Sequence, residues 1–124
     1  MNHGNVSPQI AKGLLALKER IAAAKIPSSK LDETLNLATW NIREFGKRKR
    51  SVPAIHYIAE ILGQFDLIGV VELRDNLTDL GRVLRILGPY WKSSRARCRT
   101  TSRCGCRCVP TLRGSGSIRS CRGS

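Results

Sequence analysis

No acidic residue follows Asp79, no cysteine precedes Cys98, and the chain holds only two histidines, His3 and His56. A run of about eighteen apolar residues is also missing, which excludes a transmembrane helix. The opening Met1-Asn-His-Gly-Asn-Val-Ser-Pro has no apolar centre of signal-peptide type. Together with a cysteine-free body, this points to a reducing, cytoplasmic setting.

The acid is unevenly spread. The first 92 residues carry fourteen Lys and Arg against nine acids, a net +5. The last 32 carry eight arginines with neither lysine nor acid, a net +8, and all five cysteines. The overall charge of +13 therefore describes the tail more than the body. Such a chain attracts nucleic acid non-specifically, but charge alone defines no site.

Apolar spacing predicts the elements. Ser7-Pro8 has the form of a helix cap with proline in the first turn. Ile10, Leu14, Leu17 and Ile21 then recur at helical spacing, giving an amphipathic helix over 8–25. Leu35 to Trp40 alternates as a strand does, and Lys47-Arg48-Lys49-Arg50 follows as a basic loop, expected to be solvated. Ser51 and Pro53 open a second helix with Ile55, Ile58, Ala59 and Leu62 on one face. Phe65 to Val71 is a nearly unbroken apolar run, as in a strand covered on both faces. A third helix starts at Thr78 or Asp79 and ends before Gly88-Pro89, and Tyr90-Trp91-Lys92 begins another strand. The expected core is Leu35, Leu37, Ile55, Ile58, Leu67, Val70, Leu80, Val83 and Leu84.

This order predicts an α/β layer architecture. A strand–helix–strand crossover sets its two strands parallel, with their C-terminal ends on one edge, where open α/β sheets bind ligands. Asn41 and Glu72 both fall at such ends. A carboxylate with a neighbouring amide oxygen suits a hard cation such as magnesium, which keeps several waters. Arg43 and Arg74 flank the pair and suit a phosphodiester.

Trp40-Asn41-Ile42-Arg43-Glu44-Phe45-Gly46 with Glu72-Leu73-Arg74-Asp75-Asn76 resembles the opening of the endonuclease/exonuclease/phosphatase superfamily, closest to its deoxyribonuclease branch. The Gln-Glu-Thr-Lys usual in the abasic-site branch is absent. The resemblance covers residues 35–92 and implies an incomplete N-terminal portion of a four-layer α/β sandwich. It implies magnesium-dependent hydrolysis of phosphodiesters, DNA foremost, with Asn41 and Glu72 as catalytic and metal residues and Arg43 and Arg74 on the substrate. Val71 stands where the family commonly has glutamine. The later histidine, Asp-x-Asn and Asp-His motifs are missing from this sequence. His3 is expected in a frayed terminus and His56 on an exposed helix face, so the chain is expected to be inactive and to hold magnesium weakly or not at all.

Three segments follow: 1–34 as helix and linker, 35–92 as the partial domain, and 93–124 as a disordered Arg/Cys/Ser-rich tail. Cys104-Gly-Cys106-Arg-Cys108 lacks the paired spacing of structural zinc sites. The tail's composition is that of a GC-rich gene read out of frame, so a frameshift origin is expected. The alternative function is a small basic nucleic-acid-binding protein without catalysis, its tail making the contacts. Neither reading involves a membrane.

Overall fold

The structure, a computed structural model, describes residues 1–28, 33–95 and 108–111. Helix α1 spans Pro8–Ala23 and begins as its sequence dictates: Ser7 caps it, its hydroxyl accepting from the Ile10 N–H, with Pro8 in the first turn. Strand β1 is Leu37–Asn41, helix α2 Val52–Leu62, strand β2 Leu67–Val71 and helix α3 Thr78–Leu87. Strands β3, Lys92–Arg95, and β4, Cys108–Thr111, complete a mixed α/β chain.

β1 and β2 are parallel, from Leu37 opposite Leu67 to Asn41 opposite Val71. β4 pairs antiparallel with both β2 and β3, giving the order β1-β2-β4-β3. Asp66 fixes the start of the parallel pair. Its carboxylate accepts from the Asn36 N–H at 2.8 Å while its own N–H donates to Asn36 O, also at 2.8 Å. The carboxylate is buried, yet both its backbone and side chain are satisfied.

Ile68 and Val70 of β2 are fully enclosed, facing Ile55, Ile58, Ala59 and Leu62 of α2 and Leu80, Val83 and Leu87 of α3. Burying each large apolar side chain contributes about 1.5–3 kcal/mol. Ala38 and Trp40 of β1 pack against the same cluster. Ile55, Ile58, Val70, Leu80 and Val83 are buried as expected, whereas Leu67 and Leu84 are half-buried. Leu35 and Leu37 are exposed, at 52% and 65%. In a period-two strand only one set of alternate residues can face inward, and the larger Trp40 takes that side with Ala38. β2 likewise has one buried face, not two: Leu67, Gly69 and Val71 are only half-covered.

The expected disorder beyond residue 92 needs correction at two places. Ser93 to Arg95 continue β3, and Cys108–Thr111 pairs between β2 and β3. An open strand edge offers N–H and C=O groups to any extended segment, whatever its side chains. Composition weighs side-chain burial and misses that attraction. The same pairing covers the edge of β2 away from β1, so among the described residues the outer strands of the sheet are β1 and β3. The rest of the tail lies outside the described residues.

Candidate metal and phosphate site

The letters of both motifs divide by burial. Ile42, Phe45 and Leu73 are buried at 6%, 1% and 4% exposure and anchor the two loops to the core. Asn41, Arg43, Glu72 and Arg74 between them are exposed. Each loop thus hangs its polar groups on a rim by sinking the adjacent apolar residue.

The loops are also fastened to each other. The Arg74 N–H donates to Phe45 O at 2.8 Å. Gly46, at φ 92°, lies so close to the Asn76 carbonyl that a Cβ would overlap it. Asn41 is the register partner of Val71, and Glu72 is the next residue. Paired strands run about 4.8 Å apart, so the backbones carrying the amide and the carboxylate are neighbours on one sheet edge. Neither side chain has a hydrogen-bond or ion-pair partner among the described residues.

Two carboxylates at this edge stand on left-handed backbone, Glu44 at φ 49° and Glu72 at φ 59°. For a side chain other than glycine that conformation costs about 1–2 kcal/mol. The hydrogen bond from Lys47 holds the Glu44 carboxyl below its ordinary range, with the charges of Lys47, Arg74 and Arg43 adding to it. Arg43 and Arg74, from different loops, therefore act on one point. Glu44 went unmarked in the sequence because nothing in a turn-like Arg-Glu-Phe-Gly separates it from its neighbours.

Beside the rim a groove of about 360 Å³ is lined by Arg43, Lys47, Arg48, Lys49 and Arg50 with the start of α2. Lys47, Arg48 and Lys49 are exposed, as expected of a charge run. Arg50 is not free. Its N–H donates to Asp79 Oδ2 at 2.7 Å, its guanidinium reaches Arg43 O, and its carbonyl accepts from Arg82. Asp79, 3% exposed, also accepts from Arg82 at 3.0 Å, so α3 ties down the end of the basic loop.

The two histidines require correction. His56 is buried at 8% and His3 is part of its surroundings, not frayed. His3 bridges to His56 and to Glu60, which is itself buried. The His56/Glu60 spacing of one helical turn was visible in the sequence, but nothing local showed that His3 would cover it. No imidazole is thus free for the β1–β2 edge. Among the described residues no three His, Cys, Asp or Glu side chains are arranged to hold a metal ion. An Asn–Glu pair still fits a cation that retains most of its waters, since one or two carboxylates are usual for magnesium. Among the described residues no helix is long and apolar enough to cross a membrane. Comparison with protein-family models, curated proteins and solved structures finds no match to this chain.

Proposed function

We propose that residues 35–92 are part of a metal-dependent phosphodiesterase domain of the endonuclease/exonuclease/phosphatase type, with nucleic acid, DNA foremost, as the bound phosphodiester. The observation that carries this reading is the parallel register placing Asn41 beside Val71 and Glu72. A hard cation would be held by the Glu72 carboxylate and the neutral Asn41 amide oxygen. When bound, it supplies charge stabilisation at a phosphoryl oxygen. Arg43 and Arg74 hold the phosphate from either side. The left-handed backbone at Glu72 supports the reading, because strain of that kind persists where function requires it. So does the half-bare face of β1 and β2, where the second sheet of a four-layer sandwich would pack.

Hydrolysis also needs a proton donor and acceptor at the edge. Both histidines are engaged elsewhere, so the chain as given binds without cleaving. Manganese can substitute as a paramagnetic probe of the cation site. Amide signals of residues 41–44 and 72–74 should broaden first on its addition, and Glu72→Gln should remove that effect. Broadening centred elsewhere, or indifferent to Glu72→Gln, overturns the assignment.

The basic groove favours a second reading, nucleic-acid binding without catalysis. In that case Arg48→Gln with Lys49→Gln lowers duplex affinity and its salt dependence, while Glu72→Gln leaves both unchanged. Deleting residues 93–124 does not separate the two readings, because it removes most of β3 and all of β4 from the sheet.

A further inference from the structure

Residues 1–7, ahead of α1, fasten to two helices at three points. The Asn2 N–H donates to Ile86 O at 2.7 Å, near the end of α3. The Met1 side chain lies over Gly63, the cap of α2, leaving no room there for a Cβ. The third point is His3. Its Nε2 is 2.7 Å from Glu60 Oε2 and its Nδ1 is 2.9 Å from Nδ1 of His56. His56 and Glu60 are 8% and 5% exposed, so water contributes little to either.

Proton counting constrains this cluster. A carboxylate only accepts, so the Nε2–H of His3 donates to Glu60. Between the two facing Nδ1 atoms one proton makes a hydrogen bond and two cannot fit. With one proton present the contact is satisfied. With a second, two N–H groups confront each other at close range inside a buried site.

We infer that His3, His56 and Glu60 form a proton-operated latch, closed on the 1–7 strap while the imidazoles share one proton and released when both Nδ1 atoms are protonated. Charged groups face the latch from each helix. Lys18 of α1 places Nζ 4.0 Å from Glu60 Oε1. Arg82 of α3 adds positive charge near His56. Burial pushes the His56 imidazole below its ordinary range, with His3 and then Arg82 lowering it further. The sign follows from that direction. The open strap leaves His56 in water with an ordinary value of about 6.5, so the open state binds the extra proton more readily. The latch is therefore fully closed above that value and loosens as pH falls from it toward the lowered one. Below the lowered value no further loosening comes from this group.

Release has a local readout. Met1, Phe65, Leu87 and Trp91 share the wall of a cavity of about 600 Å³, so lifting the strap opens it beside Trp91. The test is amide hydrogen exchange of the full chain at pH 7.5 and 5.5, corrected for intrinsic rates, with Trp91 emission followed in parallel. Protection of the Asn2 amide should fall severalfold on acidification while the α2 and α3 core amides keep theirs. His56→Gln, which can still donate to His3 Nδ1 but does not titrate, should remain protected at both pH values. Equal protection of the wild-type strap at the two pH values overturns the proposal, as does unchanged pH dependence in His56→Gln. Should that variant fail to fold, imidazole ¹⁵N shifts of the wild type decide. Loss of the last unprotonated Nδ1 of the His3–His56 pair must track strap release, and release without it overturns the latch.

Discussion

At the scale of single residues, the rim is defined by backbone positions that side chains ordinarily avoid. Gly46 combines φ 92° with a close approach to the Asn76 carbonyl. Gly46→Ala should therefore lower stability by about 1–3 kcal/mol in urea unfolding and separate the two loops. Glu72 gives the opposite expectation. Glycine at φ 59° relieves a left-handed strain of about 1–2 kcal/mol, offset in part by about 0.4–1 kcal/mol of added freedom in the unfolded chain. Glu72→Gly should unfold no earlier than wild type, and stability should rise by up to about 1.6 kcal/mol. It should nevertheless lose manganese broadening at residues 41–44. A variant that is both weaker in binding and clearly less stable would assign Glu72 a structural role instead.

At the scale of elements, α3 holds the basic loop through a buried carboxylate. Asp79 accepts from the Arg50 N–H and from Arg82, and its removal leaves both without that partner. Arg82 retains partial access to water, which moderates the loss. Asp79→Ala should cost about 2–3 kcal/mol and speed amide exchange over residues 47–51. The three helices and the first two strands were legible because caps, periodicity and glycine stops act within one turn of the chain. Ser7-Pro8 opens α1 and Gly88 ends α3 where the sequence put them. The inward face of β1 was not legible. Leu37 and Trp40 are both apolar, and only the packing of α2 and α3 decides between their faces. The convergence of Asn41 and Glu72 on one edge could be read from topology. The left-handed turn at each strand end, and the His3 cover on α2, depend on contacts between residues far apart in sequence.

On the scale of the whole molecule, the sheet has one half set by apolar burial and another by backbone pairing. β1 and β2 bury Trp40, Ile68 and Val70 against helices, whereas β3 is Lys-Ser-Ser-Arg. A chain ending at residue 91 should keep its helices but expose the edge of β2, so it should self-associate in concentration-dependent sedimentation. If its monomer is as soluble as the full chain, β4 does not guard that edge. The frameshift expectation is tested separately, in the gene: another reading frame after codon 92 should encode an alternating apolar strand.

The antiparallel pairing of β3 with β4 has an electrostatic consequence. Arg95 and Cys108 are register partners, and Cys108 in turn lies opposite Val70, one residue short of the Asn41–Val71 pair. Both anchors of the twelve-residue connection 96–107 therefore stand at the end of the sheet that bears Glu72. That connection contains Arg97, Arg99, Arg103 and Arg107. With no acid or lysine in it, the segment joining the two strand ends carries a formal charge of +4 in sequence.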